Sequence, residues 1–161
     1  FFSIFFNPLQ EVIRKNGKIN LNKIFSISFK DINLTNRMST NNKNHRVLVL
    51  GASLNPDRYA HKVALKLSRL AYDVVLVGHK PGVMDGMAIE TQIPNMSYDT
   101  VTLYLGAKNQ QPYQDQLLKL KPKRIIFNPG AENRVFQKLA IQKDIEAFEA
   151  CTLVMLSMGT F

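Results

Sequence analysis

The chain has 161 residues, 45% of them apolar and 20% charged, which is globular composition with room for one core rather than two. No apolar run nears the roughly 20 residues of a membrane-spanning helix. The single cysteine, Cys151, excludes an internal disulfide framework or a multi-cysteine metal site and fits a reducing, cytoplasmic setting.

Twenty-one basic groups against twelve acidic ones give a net charge of +9, and residues 1–37 hold part of it. There Arg14, Lys15, Lys18, Lys23, Lys30 and Arg37 stand against Glu11 and Asp31, a net +4. Phe, Ile, Asn and Lys make up 22 of these 37 residues, Ala is absent, and Met38 is the first methionine. Translation of an AT-rich frame upstream of a start codon yields such a mixture. Residues 1–37 are therefore read as a non-native or disordered extension, with the product beginning at Met38. Phe1-Phe2-Ser3-Ile4-Phe5-Phe6 has no basic region before it and no small-residue cleavage site after it, unlike a secretory signal. The charges are scattered without stacking aromatics or a basic helix face, so nucleic acid is not an expected partner. Residues 38–45 form a polar leader before a domain over 46–161, and the +5 left on residues 38–161 is ordinary for a soluble domain.

Arg46-Val47-Leu48-Val49-Leu50 opens that domain as a continuous β-branched run, the kind buried on both faces of a parallel sheet. It stops at Gly51-Ala52-Ser53-Leu54-Asn55-Pro56-Asp57-Arg58. Ala60, Val63, Ala64, Leu67, Leu70 and Ala71 then recur at helical spacing. Val74–Val77 makes a second strand, ending in Gly78-His79-Lys80-Pro81-Gly82. Asp85-Gly86 is a hairpin turn signal, and the alternation over Ile89–Ile93 predicts a small extra strand. Thr100–Leu105 is the next strand, closed by Gly106. Gln110-Gln111-Pro112 is expected to start a helix with proline in its first turn, buried through Tyr113, Leu117 and Leu120 and ended by Pro122. Arg124–Phe127 is a further strand, stopping at Asn128-Pro129-Gly130. Val135, Phe136, Leu139 and Ala140 mark a third helix, Ile145–Glu149 a last strand, and Cys151–Leu156 a closing turn of helix.

Strands alternating with helices at this spacing predict an α/β fold. The expected form is a single-domain, Rossmann-like, doubly wound and mostly parallel sheet of five to six strands, with helices on both faces. Ligands of such sheets bind beyond the carboxyl ends of the strands. Four loops meet there: Gly51–Arg58, Gly78–Gly82, Gly106–Gln111 and Asn128–Asn133. The first enters a helix N-terminus, whose free N–H groups and dipole favour an anion. Gly51 lets the backbone approach closely, Ser53 adds a hydroxyl and Arg58 a guanidinium fork. The dinucleotide fingerprint G-x-G-x-x-G is missing, and the second strand ends in Gly78-His79-Lys80 rather than the acidic residue that holds the ribose of NAD. A cationic loop there suits a phosphorylated ribose, which NADPH and coenzyme A both carry. His45, His61 and His79 form no metal or catalytic motif, and His61 is expected on the helix surface. Cys151 reads as a small buried hydrophobe, with a reactive thiolate as the alternative.

Val47 through Ala60, Lys80-Pro81-Gly82, Phe127 through Asn133, and Glu149 through Leu156, in that order and spacing, resemble the small stand-alone CoA-binding domain proteins. These are similar to the nucleotide-binding domain of the succinyl-CoA synthetase α-subunit. The resemblance spans residues 46–161 and implies coenzyme A or an acyl-CoA as a small-molecule nucleotide ligand. It implies that Gly51, Ala52 and Ser53 cradle phosphate with Arg58 and Tyr59 beside them. Gly78, His79, Lys80 and Pro81 would lie along the adenosine end, and Gly106, Asn128, Pro129 and Gly130 along the rest of the cleft. Tyr72 stands where the family often has a helix-ending glycine, so a left-handed cap there would cost about 1 kcal/mol unless the helix ends differently. The phosphohistidine domain of the synthetases has no counterpart here, so no ligase chemistry is implied. An NADPH-dependent reductase, or a regulatory or scaffold protein with an unused cleft, are the alternatives. The residues leave the acyl group and the oligomeric state open.

Overall fold

The computed structural model describes residues 42–161. The extension read over 1–37 and the first part of the polar leader lie outside these. Strands and helices follow in the order β1 (Arg46–Ala52), α1 (Tyr59–Arg69), β2 (Asp73–Gly78), β3 (Gly82–Met84), β4 (Met87–Glu90), β5 (Thr100–Leu103), α2 (Ala107–Leu120), β6 (Arg124–Phe127), α3 (Arg134–Ile141), β7 (Glu146–Glu149) and α4 (Thr152–Met158). They build one seven-stranded sheet in the order β3-β4-β2-β1-β5-β6-β7. Every pairing is parallel except β3 with β4. The architecture is the expected doubly wound α/β class.

Burial follows from the pattern of β1, whose residues Val47 to Leu50 are all 0% exposed. Leu48 and Leu50 point into one cluster with Leu117 of α2 and Phe136 and Ala140 of α3. Val47 and Val49 point into the other, with Val63, Ala64 and Leu67 of α1 and Leu156 of α4. A strand covered on both sides has no use for polar alternation, which is why the run reads as continuous. Among the described residues, no helix is long and apolar enough to cross a membrane.

The strand count exceeds the expected five to six because β3 and β4 form a hairpin at one edge. Asp85 and Gly86 take φ of 50° and 78°, the left-handed pair that a two-residue hairpin turn requires. The extra strand expected over 89–93 is β4 at Met87–Glu90. Ile93 leaves the strand for the core, and Gln116 Nε2 donates to its carbonyl at 2.8 Å.

Three helices depart from their expected form. α2 begins at Ala107, so Pro112 lies inside it rather than in its first turn. The missing N–H leaves the Lys108 carbonyl without a helical partner, on an exposed turn. In α3 only Phe136 and Ala140 face the core, while Val135 is 71% exposed. α1 ends with Ala71, not Tyr72, in the left-handed region, at φ 61°.

Candidate functional site

The end of β1 sets the site. Gly51 takes φ +102°, and a Cβ there would lie 3.0 Å from the Tyr104 carbonyl carbon and 3.1 Å from the Leu105 side chain. Only glycine fits both the angle and the space. The strand bulges between Leu50 and Ala52 and releases the chain into a loop folded on itself. The Asn55 N–H donates to Ser53 Oγ (3.2 Å), the Asp57 N–H to Asn55 Oδ1 (2.9 Å), and the Arg58 N–H to the Asn55 carbonyl (3.1 Å). His61, expected on the surface, is half-buried with Nδ1 3.0 Å from the Ser53 carbonyl. That acceptor requires the proton on Nδ1.

Arg58 is the N-cap of α1 with φ −72° and ψ 136°, and its side chain makes no cap bond. No acidic residue stands in the first turn of α1. Gly106, the N-cap of α2, is likewise without a side-chain cap or an acidic first turn. Both helices present their positive ends at the carboxyl edge of the sheet without a counter-charge.

The loops after β5, β6 and β7 are tied together by buried amides. Gln110, 1% exposed, donates from Nε2 to the carbonyls of Leu105 and Ala131, both at 2.7 Å, and accepts from Asn133 Nδ2 at 2.9 Å. Asn128, also 1% exposed, donates to Thr102 Oγ1 (2.7 Å) and the Leu103 carbonyl (3.1 Å), and its Oδ1 accepts from the Thr152 N–H at 2.8 Å. The Asn128 side chain therefore braces β5, β6 and α4, and its polar atoms are already partnered. The Glu132 carboxylate accepts from the Gly130 N–H at 2.9 Å, and the N–H groups of Glu132 and Gly130 together hold its pKa below the ordinary carboxylate value.

These loops enclose a cavity of about 910 Å³. Gly51, Ala52, Ser53, Arg58 and Tyr59 line it from the first loop, His79 from the second, Gly106 from the third, and Asn128, Pro129 and Gly130 from the fourth. A side cavity of about 460 Å³ adjoins it, with Gly51, His79, Leu105 and Asn109 common to both and Gly78, Lys108 and Tyr113 in its own wall. Lys80 and Pro81 are exposed and line neither cavity. Gly78 has a packing role: a Cβ there would sit 2.4 Å from the Ala52 carbonyl oxygen.

Sequence reasoning missed Tyr104, Asn109, Leu153 and Val154 as walls of the cavity and read Cys151 as buried. Cys151 is half-buried at the N-cap of α4 and faces the same space. Its neighbours read as a packing helix because their apolar run gives no sign of which residues lie beside a cleft. The Tyr104 hydroxyl is buried near Thr102 and Thr152 without a hydrogen bond to either, and burial pushes its pKa up to about 12. It stays protonated at neutral pH. Arg58, His79 and Lys108 line the two cavities, whereas no described aspartate or glutamate does. The charge of such a surface favours an anion over a cation. Among the described residues, no cluster of His, Cys, Asp and Glu side chains could hold a metal ion.

Comparison with known proteins bears on the fold and the family. No curated protein sequence matches the chain. A crystal structure of an uncharacterized protein is 42% identical, with a TM-score of 0.70 over 73% of this chain and 98% of that one. A hypothetical protein from Pyrococcus horikoshii OT3 is 25% identical, with a TM-score of 0.64 over 78% of this chain and 89% of its own. A protein from Thermus thermophilus, 17% identical with a TM-score of 0.65 over 82% of this chain and 98% of its own, shares the fold. The model of the CoA binding domain family matches residues 45–157. The loops that build the cavity all fall within that match, and the chain belongs to the CoA-binding domain family.

Proposed function

We propose that the domain binds coenzyme A or an acyl-CoA in this cleft and carries no chemistry of its own. The observation that supports the reading most is the composition of the cleft wall. Main-chain groups at Gly51, two helix ends without side-chain caps, the cations Arg58 and Lys108 and the His79 imidazole line two adjoining cavities that no described carboxylate lines. Gly106 adds to it. Its backbone angles suit any residue, and a Cβ there would meet nothing closer than the Gly130 carbonyl oxygen at 3.8 Å. The fold does not demand glycine at that position, whereas a ligand lying against the loop would. The phosphate groups then sit by Ser53 and Arg58, with the phosphorylated ribose toward His79. The half-exposed thiol of Cys151 suits a reducing, cytoplasmic compartment.

Titration of the chain with CoA, desphospho-CoA, NADPH and NAD by calorimetry tests the reading. CoA should bind, NAD should not, and desphospho-CoA should bind more weakly by about tenfold or more, the scale of one lost charge-assisted hydrogen bond. Equal binding of CoA and desphospho-CoA would remove His79 from the ribose phosphate. NADPH binding tighter than CoA would favour a reductase, and silence with all four nucleotides a scaffold.

A further inference from the structure

The cleft changes character along its length. Its floor crosses the carboxyl ends of β2, β1, β5, β6 and β7 in that order, four inter-strand spacings or about 19 Å. The basic side chains stand at the first end, the His79 imidazole after β2 and the Arg58 guanidinium after β1. At the β7 end the walls are Cys151, Leu153 and Val154, with no charged side chain.

The apolar wall does not stop at the cavity. Val154 is 52% exposed, and Met158, one turn further along α4, is 71% exposed. Positions 151, 154 and 158 follow the i, i+3, i+7 spacing of a single helix face. The stripe therefore spans about 10 Å, and its last turn, about 6 Å from Val154 to Met158, lies beyond the cavity. A ligand with its phosphates at the cationic end brings its sulfur to the β7 end, beside this stripe. Free coenzyme A ends there in a thiol and leaves Val154 and Met158 in water. An aliphatic group on the sulfur would cover them, and a flexible methionine adapts to chains of different shape.

Resting on the CoA-binding reading above, we propose that the preferred occupant is a medium-chain acyl thioester of coenzyme A, its acyl chain lying along Val154 and Met158. The continuity of the stripe with the cavity favours this occupant over a second protein. Calorimetric titration of the full chain with CoA, acetyl-CoA, butyryl-CoA and octanoyl-CoA tests it. Affinity should rise with chain length, octanoyl-CoA binding about tenfold tighter than CoA. Met158→Gln should remove about threefold or more of that gain and leave the CoA dissociation constant within about twofold, because Met158 lies outside the cavity. A flat or falling series with CoA binding intact overturns the acyl proposal alone. A gain that Met158→Gln leaves untouched also overturns it. Sedimentation as a dimer that Met158→Gln dissociates would give the stripe to a second copy instead. Failure of CoA and all its thioesters to bind would sink the underlying reading as well.

Discussion

Arg58 makes no ion pair and no side-chain hydrogen bond among the described residues, and it stands where a cation opposes the dipole of its own helix. A side chain placed against its local electrostatics, on the wall of a cavity without carboxylates, is best explained by an anion. Arg58→Ala should weaken CoA binding by about 1.5–3 kcal/mol and leave the melting temperature unchanged. An unaltered dissociation constant would take Arg58 out of the site. At this scale the first loop was legible as a cavity wall, because a strand that ends in glycine and enters a helix leaves its main chain open at the sheet edge. Asn128 was legible as a position but not as a role. Its side chain works inward on Thr102 and Thr152, partners brought near only when β5, β6 and α4 assemble. Lys80 stands in a loop of the expected composition yet outside both cavities, since a loop's direction depends on what it packs against.

Helix ends show a similar division. After α1, the Tyr72 N–H reaches the Leu67 carbonyl at 3.1 Å and the Ala71 N–H reaches that of Ser68 at 2.9 Å. This pair of bonds defines a Schellman cap, which places Ala71 at the left-handed position normally held by glycine. Ala71→Gly should therefore raise stability by about 1 kcal/mol, read as a higher denaturation midpoint with an unchanged slope. An unchanged or lower midpoint would show that the cap is not strained. The family resemblance marked Tyr72 for this role, one residue late; Tyr72 instead packs on the core cluster that holds the α1 face and meets the rings of His45 and Phe161. Strand and helix types were readable from period alone. Their exact ends, as at Pro112 and Ile93, were set by neighbours.

Across the molecule, the edge of the sheet opposite the cleft carries a second polar group. His45 Nε2 lies 2.8 Å from Thr100 Oγ1, which also accepts from Arg124 Nε at 2.7 Å. Tyr72 meets the His45 ring edge-on with centroids 5.4 Å apart, and Phe161 lies 5.8 Å away. Burial, opposed by Asp99 and reinforced by Arg124 and Lys123, holds the His45 pKa below its ordinary 6.5. The unfolded chain then takes up its proton first as pH falls, so it binds more protons than the folded one below about 6.5. Stability from this group is complete above that pH and declines from there toward the folded pKa. Melting temperatures should fall between pH 7 and pH 5, and His45→Gln should flatten that limb. An equal slope in the variant would assign the effect elsewhere.

The amino-acid sequence alone determined the alternation of strands and helices, the parallel sheet and the glycine-bearing loops at one edge. These follow from periodicity and backbone angles, which are local properties of a chain. Tertiary structure decided which loop residues share a cavity, which amides brace it, and that the last helix supplies an apolar end. Those features depend on strand order, and strand order brings together residues that no local pattern connects. The β1 and β6 loops lie far apart along the chain, yet they wall one space because β5 alone separates their strands.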